Sequence, residues 1–169
     1  MLLPFLFSAL IVAADQAVKW WIVSSLQPEE VRTLIPGVLS LTRIRNTGAA
    51  FSLLRDHTWL LAVISAIFAV LVVVLLVKRY FTHPLAVWSL AAVLGGAVGN
   101  LIDRIRLGYV VDMFLPEFID FAVFNVADIF ITCGGILFCV WLLLSYSQSR
   151  RNSASAATEP PEDKHDGTD

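Results

Sequence analysis

Between Trp59 and Val77 nineteen consecutive residues carry no charge, and the run stops at Lys78-Arg79. A helix crossing the ~30 Å hydrocarbon core of a bilayer needs about 20 apolar residues. This one stretch therefore fits a membrane span and excludes an ordinary soluble domain. Three more apolar segments accompany it, and helices are expected at about 2–24, 59–78, 85–104 and 126–146. The whole chain of 169 residues is 57% hydrophobic and 15% charged, against about 25% charged in soluble domains. Its net charge of −2 comes with no basic patch, so nucleic acid is not an expected partner. A cleaved signal peptide is the competing reading of the first segment. It lacks the basic leading region, and its apolar character resumes after Lys19, which favours a retained helix.

Residues 25–58 differ in kind. Gln27-Pro28-Glu29-Glu30, Pro36-Gly37 and Asn46-Thr47-Gly48 are turn signals, and Val38 to Arg45 alternates with the period of a strand. A small extramembrane β element over 28–52 is expected, within a membrane domain spanning 1–146. Residues 147–169 are polar, contain Pro160-Pro161, and read as a disordered tail. Cys133 and Cys139 lie in one apolar segment, where packing is a better reading than a disulfide or a metal pair.

Four spans place both termini on one side. The C-terminal ends of the first and third helices then meet the N-terminal ends of the second and fourth at the other. Asp15 lies ~20 Å along the first helix at a 1.5 Å rise per residue. Asn100 and Asp103 end the third helix, and Asp128 stands in the first turn of the fourth. The polar residues of the spans thus converge on one face, and ionisable groups at membrane depth are functional-site candidates. Orientation is contested by Arg32, Arg43, Arg45, Arg55, Arg104 and Arg106 on the site side. Lys78, Arg79, Arg150 and Arg151 lie near the spans on the termini side, so a bare positive-inside count puts the termini outside. Several site-side arginines belong to folded parts, which weakens that count.

Scattered His57, His83 and His165 offer no metal-binding motif and no serine–histidine pair. Carboxylates remain. Asp15 with Lys19 at i+4 is either a self-neutralising ion pair or a contact to substrate or lipid headgroup. Asp103 is expected to pair with Arg104, and Glu117 and Asp120 to be solvated. Asp112 sits in the apolar run Val110-Val111-Asp112-Met113-Phe114 without a basic neighbour. Asp128 three residues after Asn125 fits a capping box as well as a catalytic role, and spacing does not choose between them. If Asp112 and Asp128 face each other, two carboxylates in a poorly hydrated site keep one proton between them and can activate a water. Gly95 and Gly99 have the small-xxx-small spacing of close helix packing.

Five blocks occur in order: Asp15-Gln16-Ala17-Val18-Lys19, Asn46-Thr47-Gly48-Ala49-Ala50-Phe51, Gly95 through Arg104, Val110-Val111-Asp112, and Phe124-Asn125-Val126-Ala127-Asp128. Over about residues 8–145 the sequence resembles the bacterial lipoprotein signal peptidases (signal peptidase II). That resemblance implies an α-helical integral membrane protein with four transmembrane helices, a small β-cradle and a short periplasmic amphipathic segment. It implies an aspartic endopeptidase of the inner membrane, with its active side facing the periplasm or exterior. Such an enzyme cuts prolipoproteins just before a diacylglyceryl-modified cysteine. The catalytic pair falls on Asp112 and Asp128, with Asn46, Asn100, Arg104 and Asn125 supporting, and Asp15 and Lys19 nearby. No metal or cofactor is implied, and the partners are prolipoprotein and membrane lipid, with the enzyme a monomer. The stretch Met113–Val123 is shorter than in familiar members, which bears on the flap over the site. A small transporter and a scaffold with capped helices are the rival readings. Against transport, the polar residues lie at one end only.

Overall fold

In hydrocarbon a backbone must satisfy its own hydrogen bonds, and a helix does so within one segment. The structure, a computed structural model, describes residues 2–48 and 57–158. Its helices are α1 (Leu2–Ser25), α2 (Thr58–Val77), α3 (Pro84–Leu107) and α4 (Val126–Thr158). All four are long and apolar enough to cross a membrane, α4 over Val126–Arg151.

α3 is the hub, packed against α1, α2 and α4. Small residues make that possible. A Cβ on Gly95 would come within 2.8 Å of the Ile11 Cβ in α1, and one on Gly96 would run into the Ala127 carbonyl of α4. Neighbouring glycines thus admit one helix on each side. On Gly134 of α4, a Cβ would stand 2.8 Å from the Ser89 carbonyl. The Ser8 hydroxyl donates to the Ala91 carbonyl at 2.7 Å, joining α1 to α3. α2 meets α3 through Ala69, Val72 and Leu76 against Leu90 and Leu94. At its start, α3 has Pro84 in the first turn and His83 accepting from the Leu85 N–H. It ends at Gly108, whose φ of 75° closes the helix with a bond to the Arg104 carbonyl; only glycine takes that conformation freely.

Outside the spans lies an antiparallel sheet in the order β1 (Val31–Ile35), β2 (Leu39–Asn46), β3 (Val110–Pro116). The expected β element is the antiparallel pair β1–β2. The third strand, between α3 and α4, was not expected. Val110 through Met113 is buried without alternation, so its apolar run carries no period of two to read. Its partner is also remote, with Ile44 opposite Asp112 and Asn46 opposite Val110. Val111 and Met113 pack with Leu41 on Ile22 and Leu26, seating the sheet on the end of α1. A bridge between Phe114 and Phe124 carries the chain back towards α4.

The fourth helix also departs from expectation. It does not end near 146 but continues to Thr158, so residues 147–158 are helical rather than disordered. Arginine, glutamine and alanine there favour a helix, and no proline comes before Pro160. The rest of the expected tail, 159–169, and residues 49–52 of the β element lie outside the described residues.

Candidate active site

The site is built from the ends of α1 and α3, the strands β2 and β3, and the first turn of α4. Its base is a buried charge cluster. The Lys19 ammonium lies 2.9 Å from Asp15 and 3.1 Å from Asp103, and all three residues are buried. Gln16 ties the cluster together by donating to Asp103 and to the Gly99 carbonyl at 3.0 and 3.2 Å. Gly99 is needed here, since a Cβ would lie 2.7 Å from an Asp15 oxygen. The other Asp15 oxygen accepts from the Ala127 N–H at 2.9 Å, so an α1 carboxylate serves an open backbone donor in the first turn of α4. Asp103 also accepts from the Val111 N–H at 3.1 Å, which fixes β3 to α3.

Above the cluster, three asparagines hold two aspartates. Asn46 and Asn125 both donate to Asp112, at 2.8 and 2.6 Å. Asn100 donates to Asp128 at 2.8 Å. The Asn125 side chain also donates to the Asn100 carbonyl oxygen at 3.1 Å. Asn125 and Asp128 form a reciprocal capping box, each backbone N–H donating to the other's side chain at 3.1 and 3.0 Å. Asp128 thus caps α4 with one oxygen while the other accepts from Asn100. Asn46 is itself oriented by the Gly48 N–H, which donates to its oxygen at 2.9 Å. Burial pushes the Asp112 carboxyl up to about 6; the neighbouring Asp128 charge acts in the same direction, and the asparagine hydrogen bonds and Lys19 oppose it.

Both aspartates open into one cavity of about 470 Å³, which Asn46, Asn100, Arg104 and Asn125 also line. Among these, Arg104 presents a buried Nε with no hydrogen-bond partner in the described structure. Apolar and small residues form the remaining wall: Phe121 to Phe124 from the loop, and Ile129, Thr132 and Cys133 along one face of α4. Such a mostly apolar cleft with a few converging polar groups suits a ligand that is itself largely apolar.

Six of the eight residues expected at the site thus share one cavity, and Asp15 and Lys19 lie beneath it. Asp103 pairs with Lys19 and not with Arg104, as its helix turn carries it towards α1. Glu117 is exposed, as expected, but it is not merely solvated: it accepts from the Gly37 N–H at 2.9 Å and from the Ser40 hydroxyl. Cys133 and Cys139 are free and exposed on the helix surface rather than packed. Gln16 and Phe124 were legible only as motif neighbours, and Ile129, Thr132 and Cys133 carried no signal of their own.

Four spanning helices and a carboxylate-bearing cleft at one end of them define a membrane enzyme. The sequence profile described as signal peptidase (SPase) II matches residues 7–144, and the chain belongs to that family of peptidases. It is 47% identical over 138 residues to the lipoprotein signal peptidases of Streptococcus pyogenes serotype M5 (strain Manfredo) and serotype M1, covering 78% of this chain and 88% of each relative. Two solved structures are similar, both described as bacterial membrane enzymes determined by the in meso method. One superposes with a TM-score of 0.83 at 29% identity, covering 88% of this chain and 92% of the other. The second gives 0.77 at 30% identity, with 85% and 94% covered.

Proposed function

We propose that this protein is an aspartic endopeptidase of the bacterial cytoplasmic membrane. It removes the signal peptide from lipoprotein precursors, cutting just before a diacylglyceryl-modified cysteine, and its active side faces the cell exterior or periplasm. The observation that carries this reading is the convergence of Asp112 and Asp128 on one largely apolar cavity, each held by asparagine amides. The family supplies the substrate class; the carboxylate pair supplies the chemistry.

One carboxylate takes a proton from a water held between the two, and the other, protonated, polarises the scissile carbonyl. The water oxygen bonds to that carbonyl carbon, and the C–N bond then breaks as the nitrogen takes up a proton. Asn46, Asn100 and Asn125 keep the carboxyl groups aimed inward, and the unpartnered Nε of Arg104 offers a donor to a substrate carbonyl. The lipid chains lie along the Ile129, Thr132 and Cys133 face of α4, which explains a site built at the edge of the spans.

The test is cleavage of a purified diacylglyceryl-modified prolipoprotein in detergent by wild type, Asp112→Asn and Asp128→Asn. Both variants are expected to fold, since asparagine also caps helices, and to lose at least about 100-fold in kcat. Chelators leave the wild type active. A folded variant with near-normal activity removes that aspartate from the mechanism.

A further inference from the structure

Lys19 has a role that its ion pairs do not account for. An ammonium has three hydrogens and no acceptor. Two of its donors meet Asp15 and Asp103, and the third meets the side-chain oxygen of Asn100 at 2.9 Å. An asparagine amide can in principle sit either way round, and donors that can only donate decide which. Here Lys19 and the Asn125 amide both donate to the Asn100 oxygen. The Asn100 NH₂ is thereby left facing Asp128, to which it donates at 2.8 Å. Turned over, Asn100 would set its NH₂ against an ammonium and its oxygen against a carboxylate.

We propose that Lys19 is a positioning residue of the reaction: by fixing the sense of the Asn100 amide it aims an N–H at Asp128 and an acceptor at Asn125. Asn125 passes the same order on, because its other hydrogen reaches Asp112 at 2.6 Å and its oxygen receives the Asp128 N–H. One buried charge in α1 thus sets the hydrogen-bond direction at both aspartates without touching either. Asp15 and Asp103 hold the ammonium in place, and Asp15 also fixes the backbone beside Asp128 through Ala127. This inference rests on the proposed aspartate pair and adds a residue behind it.

A double-mutant cycle between Lys19 and Asn100 tests it, with kcat and KM read on the diacylglyceryl-modified prolipoprotein and folding followed by thermal melting. Lys19→Met alone leaves two unpaired buried carboxylates, so it is made together with Asp15→Asn and Asp103→Asn. Lys19→Arg is the second variant; it keeps the charge and the ion pairs, but its planar fork cannot place three donors around one nitrogen. Each is combined with Asn100→Leu. Folded Lys19 variants are expected to lose about 10-fold or more in kcat, part of what acid–base groups supply, with KM within about two-fold of wild type. In the Asn100→Leu background the Lys19 change should cost nothing further, because the lysine acts through that asparagine. Wild-type kcat in either folded Lys19 variant, or losses that multiply with Asn100→Leu, overturns the inference. Asp112→Asn and Asp128→Asn run in parallel: activity there removes the aspartate pair itself, whereas their inactivity beside multiplying losses removes only the role of Lys19.

Discussion

Asp112 is less stable ionised in the folded protein than in the unfolded chain. Its carboxyl rises from 3.8 to about 6 because it is buried beside another acid, which corresponds to ~3 kcal/mol against the ionised form. For an acid whose folded value is raised, this contribution favours folding below pH ~4 and is lost as pH climbs through ~6. Asp112→Asn removes the charge but also one acceptor oxygen, so one of the Asn46 and Asn125 donors goes unmet at a cost of about 1–2 kcal/mol. The variant is therefore expected to be ~1 kcal/mol more stable than wild type at pH 8, with the gain gone at pH 4. Thermal melts at the two pH values check it, and a variant less stable at pH 8 would falsify the burial argument. On the proposed mechanism, activity should follow the same group. kcat/KM should fall about ten-fold per pH unit above an apparent value near 6 that belongs to the pair. Substrate that displaces water from the cavity moves the corresponding limb of kcat to higher pH.

Elements bring these residues together through contacts that leave no room for a methyl group. Gly96 is the clearest case, because a Cβ there meets the Ala127 carbonyl one residue before Asp128. Gly96→Ala should push α3 from α4, lower stability by about 1–3 kcal/mol and reduce kcat as Asn100 withdraws from Asp128. Gly135→Ala is the control, since its Cβ meets nothing within 4 Å; its stability should stay within about 0.5 kcal/mol or improve slightly. Equal melting temperatures for the two variants would contradict the packing. Much of this level was legible in the sequence. Long apolar runs marked the helices, and the helix count alone gathered Asp15, Asn100, Asp103 and Asp128 at one end. Strand β3 was not legible, because a strand buried along its length loses the alternation that betrays a half-exposed one, and its partner β2 lies far back in the chain. The triad of Asp15, Lys19 and Asp103 was half legible: i to i+4 spacing announced the first pair, whereas which face of α3 turned towards α1 depended on the glycines fitting.

At the scale of the whole molecule, the arginines that contest its orientation turn out to have structural work. Arg43 donates to the Val23 and Leu26 carbonyls at 3.2 and 3.1 Å, closing the C-terminal end of α1. Arg45 stacks its guanidinium 5.2 Å from the Tyr109 ring, and Arg32 pairs with Glu30 at 3.0 Å. Arg104 lines the cavity. The positive-inside tendency is counted over short loops near the span ends, and four of the six site-side arginines are engaged in folded structure instead. Arg55 lies outside the described residues. Lys78 and Arg79, by contrast, stand in the short α2–α3 connection where the tendency acts most directly. The termini side is thus expected to be cytoplasmic and the sheet exterior. Cysteine labelling in intact cells checks this, with Cys133 and Cys139 first replaced by alanine. A membrane-impermeant maleimide should modify Leu34→Cys in exposed β1 and spare Thr82→Cys in the α2–α3 connection until the cells are opened. The reverse pattern would put the aspartate pair on the cytoplasmic side, and the proposed cleavage of exported precursors could not then occur there.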